Sequence, residues 1–212
     1  MTALLSVWNF CKSNKIFLIC LFAIHAVYFF CAIHYEGICT QDSDEYLQTA
    51  ENLKYHFTCY NWIWTDIKNP VFYSMRPPAY GVFILICKSF YNSDYTVLIA
   101  QNLISIGIWL LTIHLSKLFY PNYKIELPII VSLLLIPTQM IMVNSIAPEI
   151  LLEFLLIICL GCISYYIKEK NTWYLIIYNI ALSLAVLSKP VMMYFWVPNL
   201  ILFGYIFYKK RN

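Results

Sequence analysis

Arg76-Pro77-Pro78-Ala79-Tyr80-Gly81-Val82-Phe83-Ile84-Leu85-Ile86-Cys87-Lys88 is the stretch whose reading decides the fold. Its apolar run, 79–87, stops at Lys88 well short of the roughly 20 residues that cross a bilayer as a helix. A run this short behind two prolines reads as an interfacial or re-entrant helix. One crossing more or fewer turns every later loop to the other side of the membrane, so this reading also sets where each later charge sits.

The surrounding composition fixes the class. The chain of 212 residues is 61% hydrophobic and 12% charged, and the apolar residues come in long runs. That pattern excludes a water-soluble domain and predicts an all-α, polytopic integral membrane protein forming a single membrane domain over 1–212. The runs do not alternate, and an open sheet edge cannot sit in lipid, so strands are a poor alternative. Gly 5, Tyr 18 and Phe 14 suit helices with ring-bearing ends at the headgroup level. A net charge of +3 with no concentrated basic face gives no footprint for nucleic acid.

With 79–87 kept out of the membrane, about six spanning helices are expected, near 16–35, 95–116, 125–143, 149–167, 173–188 and 191–208. The basic positions Lys12, Lys15, Lys117, Lys124, Lys168, Lys170 and Lys209-Lys210-Arg211 then all fall on one side, and the positive-inside bias makes that side cytoplasmic, with both termini. Had 79–87 spanned, the loops after it would be outside. The first span lacks a good small-residue cleavage motif at 29–34, so it reads as retained and not as a signal peptide. An outer loop over 36–92 comes next, carrying Glu36, Asp42, Asp44, Glu45, Glu51 and Asp66 against Lys54 and Lys68. The expected address is the inner or plasma membrane, with a site on its outer face.

Within that loop, Asp42-Ser43-Asp44-Glu45-Tyr46 gathers three carboxylates at the start of a short surface helix running through Ala50 and Leu53. Asp42 stands just ahead of the helix, whose free N–H groups would stabilise its carboxylate or an anion beside it. A carboxylate there can take a proton from an attacking hydroxyl, and Asp42, Asp44 and Glu149 are the candidate ligands for a divalent metal. The plainer reading is acids decorating a helix start, as the dipole prefers.

Arg76, aimed by its two prolines, is a candidate phosphate binder or else a headgroup anchor. Lys189 sits among apolar residues and must reach an anion or the interface. Glu149 follows Pro148 at a helix start, where pure capping is the alternative, and Glu153 lies about 6 Å deeper on the same face. Two stacked acids suggest a polar cleft or a cation between helices. Gln101 and Asn102 are candidates for interhelical hydrogen bonds.

His25, His34, His56 and His114 share no i, i+4 spacing, and the eight cysteines show no metal spacing. Cys39 and Cys59 share the polar loop, where an oxidising compartment would allow them to pair. No phosphate loop, dinucleotide glycine pattern or Gly-x-Ser-x-Gly elbow is present. The ionisable residues gather on one side instead of marking a path across the bilayer, which disfavours a transporter.

In order, Asp42 to Tyr46, Arg76-Pro77-Pro78-Ala79-Tyr80, Gln101, Pro137, Ser145, Pro148-Glu149 and Leu187-Ser188-Lys189-Pro190 resemble the N-terminal half of the GT-C-fold glycosyltransferases that use polyprenyl-phosphate sugars. The likeness is closest to the family of protein O-mannosyltransferases and lipid A aminoarabinose transferases, and it covers about 12–208. It implies a GT-C-like helical bundle that moves a sugar from a polyprenyl-phosphate donor to a lipid, glycan or protein hydroxyl with inversion. Under it Asp42 and Glu149 match the acidic catalytic positions, and Arg76 and Lys189 match basic donor-binding positions, with Asp44, Glu45 and Tyr46 beside the substrate. Family members continue through several more spans. A membrane partner completing the fold is therefore an expected associate, and a noncatalytic subunit that binds lipid phosphate or a partner transferase is the second reading.

Overall fold

The structure, a computed structural model, describes residues 14–35, 39–40, 42–64, 76–195, 197, 199–201, 204 and 208. The sequence positions Lys12, Glu36, Asp66, Lys68 and Lys209 to Arg211 lie outside the described residues. Among the described residues the elements are helices, in the order α1 (Lys15–His34), α2 (Ser43–His56), α3 (Pro78–Phe90), α4 (Asp94–Phe119), α5 (Glu126–Leu135), α6 (Pro137–Val143), α7 (Glu149–Glu169) and α8 (Trp173–Val186), with a 3-10 segment, Pro190–Phe195, after them.

Six spans are not what these elements make. Among the described residues three helices, α1, α4 and α7, are long and apolar enough to cross a membrane, and a fourth crossing is available only if the bent pair α5 and α6 counts as one. The expected span at 125–143 is broken at Ile136 with an 83° bend. Pro137 has no N–H to give, and its ring clashes with the carbonyl four residues back, so the helix restarts in a new direction. The expected span at 173–188 is α8, whose 14 residues make about 21 Å of helix against a hydrocarbon core of roughly 30 Å. The sixth begins as the 3-10 segment behind Pro190, and most of the chain beyond that segment lies outside the described residues. Summed apolarity, from which the spans were read, does not register these interruptions. The deciding run at 79–87 lies in α3, a 13-residue helix also too short to cross.

The helices pack through three apolar clusters. Leu21 of α1, Ile113 of α4, Leu133 of α5 and Met140 of α6 share one; Leu155 and Cys159 of α7 with Tyr178 and Ala185 of α8 share another. The third joins α2, α3 and α4 through Tyr46, Tyr80, Ile84 and Leu98, with Ile146 of the α6–α7 turn. Tyr46 meets Tyr80 edge-on at 5.1 Å. Gly81 allows α3 to press against α2, since a Cβ there would stand 2.8 Å from Thr49 Cγ2. In α1, His25 is buried; its ring nitrogens lie 2.8 Å from the Leu21 carbonyl and 3.0 Å from Ser105 Oγ of α4, tying the two helices.

The charges sort to two ends. Lys117 pairs with Glu126 at 2.7 Å where α4 gives way to α5, and Tyr174 donates to Glu169 at 2.7 Å where α7 gives way to α8. The opposite end holds α2, the start of α3, the start of α7 and the Leu187-Ser188-Lys189-Pro190 turn.

Candidate functional site

Two hydrogen bonds to backbone carbonyls bring distant stretches together at that second end. Ser43, the first residue of α2, donates its hydroxyl to the Ile146 carbonyl at 2.7 Å and accepts from the Thr40 N–H at 2.7 Å. Ala79 donates its N–H to the Leu187 carbonyl at 2.9 Å. Beneath them Gln101, fully buried in α4, accepts from the Tyr80 hydroxyl and donates to the Val143 and Ser145 carbonyls, both at 2.8 Å. Asn102 donates to Asn144 at 2.8 Å. The two amides do serve as cross-links, and their partners lie in α3 and in the α6–α7 turn.

On this platform stand two clusters, each pairing a cation with carboxylate. Arg76 Nη2 lies 2.8 Å from Asp42 Oδ1, and Arg76 Nε lies 2.7 Å from Glu45 Oε2. The guanidinium also sits over the ring of Tyr46, 5.5 Å from its centroid. The Asp42 carboxylate makes no cap to the α2 N–H groups, contrary to the expectation from the helix start; it turns to Arg76 instead. A charge-assisted contact to arginine outcompetes a partial dipole charge. Asp42 keeps 54% of its side chain exposed, whereas Tyr46 is buried and forms the floor.

The second cluster is Lys189 Nζ, 2.6 Å from Glu149 Oε1. The other carboxylate oxygen, Glu149 Oε2, is buried and has no hydrogen-bond partner among the described residues. Glu153, expected with Glu149 to mark a polar cleft or a cation between helices, accepts from the Gln139 amide of α6 at 3.2 and 3.4 Å. Burial pushes the Tyr46 hydroxyl upward in pKa; Arg76 opposes this, and the negative charges of Glu149, Asp42 and Glu45 add to it. Charges from both clusters therefore bear on one tyrosine.

Asp44 is not part of this meeting. It faces away with Leu47 and Gln48, and among the described residues no three His, Cys, Asp or Glu side chains form a group able to hold a metal. Asp42 is oriented on Arg76 and Asp44 lines the wall of a separate groove, so these two and Glu149 do not converge on one point. Cys39 and Cys59 are free thiols.

The chain matches no family model, no curated protein and no solved structure. The family resemblance rests on its ordered motifs alone.

Two contributors escaped the sequence reading. Asn61 donates to Glu45 Oε2 and so shares that oxygen with Arg76, and Ser43 ties α2 to the α6–α7 turn. Neither has a spacing signal, because both partners are distant in the chain.

The arginine pair predicts a pH response. The hydrogen bond from Arg76 holds Glu45 below the usual carboxylate range; burial opposes it, and the Arg76 charge and Asn61 reinforce it. A carboxylate whose pKa is lower folded than unfolded binds more protons unfolded, so its contribution is complete above the unfolded value of about 4.3 and disappears as pH falls through the folded one. Melting temperature in detergent should fall below about pH 4.3 more steeply in wild type than in E45Q. Equal slopes would show that the pair is not stabilising.

Proposed function

We propose that this end of the protein binds a polyprenyl-phosphate sugar and transfers the sugar to an acceptor hydroxyl with inversion. The site faces outward from an inner or plasma membrane, with the Lys117, Lys124 and Lys168 end on the cytoplasmic side, as the positive-inside bias prefers. The observation that carries the reading is the convergence of Asp42, Arg76, Glu149 and Lys189 on one end of the helices, held there by the Ser43–Ile146 and Ala79–Leu187 hydrogen bonds.

In the proposed step the acceptor oxygen attacks the anomeric carbon, a new glycosidic C–O bond forms, and the bond from that carbon to the phosphate oxygen breaks. The electron pair leaves on the phosphate, and the hydroxyl proton passes to Asp42. Three carboxylates, Asp42, Glu45 and Glu149, face two cations at rest. An entering phosphate therefore competes with a carboxylate for its cation. Displacing Asp42 from Arg76 would free the base as the donor arrives. A guanidinium carries five N–H groups, so Arg76 can hold Glu45 and a phosphate together. Glu149 Oε2, buried and unpartnered among the described residues, offers an acceptor for a sugar hydroxyl.

Membranes containing the protein, given a radiolabelled polyprenyl-phosphate sugar, should form a product with the anomeric configuration opposite to the donor's. Retention would refute one-step displacement. R76A should weaken polyprenyl-phosphate binding by about tenfold, because its partner is charged already in the ground state. Unchanged binding would remove Arg76 from the donor site. The closed carboxylate pairs favour a second reading, a noncatalytic subunit that holds lipid phosphate or a partner transferase. Donor binding by wild type without transfer, alone and with co-purifying partners, would select it.

A further inference from the structure

We propose that a groove on the outer face of α2 binds a neutral, hydroxyl-rich ligand of the saccharide class, which the transfer reading makes the sugar acceptor. The groove encloses about 330 Å³, within the roughly 300–1,000 Å³ of small-molecule sites. Asp44, Leu47, Gln48 and Glu51 form its helical wall. Their i, i+3, i+4, i+7 spacing places them on one face, away from Ser43, Tyr46 and Ala50, which are buried.

The facing wall is Asn61, Trp62 and Ile63, and it is fixed in place. Buried Asn52 donates its Nδ2 to the Tyr60 carbonyl at 2.8 Å and to the Trp62 carbonyl at 2.7 Å. These bonds set the width of the groove before any ligand arrives, which lowers the ordering cost of binding.

Its chemistry selects the ligand. Trp62, 41% exposed, offers a flat apolar face to the C–H side of a sugar ring. Asp44 and Glu51 accept hydrogen bonds from hydroxyls, and the Gln48 amide, whose Nε2 lies 3.4 Å from Asn52 Oδ1, keeps its oxygen as a further acceptor. Among the described residues neither acid has an ion-pair partner. No lysine or arginine lines the groove, so an anionic ligand such as the donor phosphate is repelled from it. Asn61 is the link to the charged end, lining the groove while donating to Glu45 Oε2 beside Arg76. A hydroxyl projecting from the groove is thus one side chain away from the cluster that holds Asp42.

The test uses the full chain in mild detergent, titrated calorimetrically with neutral gluco-, manno- and galacto-configured trisaccharides and, separately, with trilysine. At least one trisaccharide should bind with Kd of about 1 mM or tighter. W62A and the D44N/E51Q double variant should each weaken it about tenfold, W62F should retain it, and polyprenyl-phosphate binding should be unchanged in all three. Absence of trisaccharide binding at about 10 mM, or salt-sensitive trilysine binding indifferent to W62A, would overturn the proposal, the latter in favour of a basic peptide. Saccharide binding without any transfer would support the groove and count against the reaction. Transfer with an acceptor KM unchanged in W62A would do the reverse.

Discussion

Asp42→Asn should lower sugar transfer by about 100-fold or more while polyprenyl-phosphate binding stays the same or tightens by a few-fold. The substitution keeps the shape of the side chain and one hydrogen-bond acceptor toward Arg76. It removes the negative charge that would take the acceptor proton, so the loss belongs to turnover. The direction expected for binding comes from the geometry: Asp42 Oδ1 lies 2.8 Å from Arg76 Nη2 at rest, and a neutral amide competes less well than a carboxylate with an arriving phosphate. Asp44→Asn is the comparison, since Asp44 faces the groove and not Arg76; it should leave the proton transfer intact and act through the acceptor. The assay tracks radiolabelled donor in membranes holding wild type, D42N and D44N at matched abundance, with donor binding measured on the same proteins. Transfer by D42N at the wild-type rate would take Asp42 out of the mechanism.

Gln101→Leu should destabilise the protein by about 3 kcal/mol, seen as a fall in melting temperature of roughly 10 °C for a chain of this size. Gln101 is fully buried and serves three groups at once, the Tyr80 hydroxyl and the Val143 and Ser145 carbonyls. Leucine fills similar space and leaves two carbonyls and a hydroxyl without that partner, each costing about 1–3 kcal/mol if it stays buried. Local relaxation recovers part of this, which is why the figure sits near the low end of the sum. The consequence reaches the charged end, because the α6–α7 turn that Gln101 holds also carries the Ile146 carbonyl bound by Ser43 and leads directly into Glu149. Q101L should therefore lose donor binding at temperatures where wild type is intact. A change in melting temperature below about 2 °C would show that the turn finds other partners.

Several features were legible because they are local. Apolar runs mark α1, α4 and α7, since a helix in lipid must satisfy its own backbone and present carbon all round. The short run behind Pro77-Pro78 is a short helix for the reason of length alone. Asp42 and Glu149 stand just before and at the first residues of α2 and α7, where helix-start chemistry places acids. Gln101 and Asn102 declared themselves as amides inside an apolar helix, which need partners wherever they point.

What the chain alone could not decide was continuity and partnership. Pro137 permits a bend, but whether a proline kinks a span or breaks it by 83° depends on what the freed segment packs against, here α1, α4 and α7. The brevity of α8 is likewise a matter of where Lys189 finds Glu149 and where Ala79 finds the Leu187 carbonyl. Sequence order put Asp42, Arg76, Glu149 and Lys189 on one side without pairing them. Only the fold joins Arg76 to Asp42 and Glu45, and Lys189 to Glu149, because the strength of an ion pair depends on distance in space and carries no trace in the spacing along the chain.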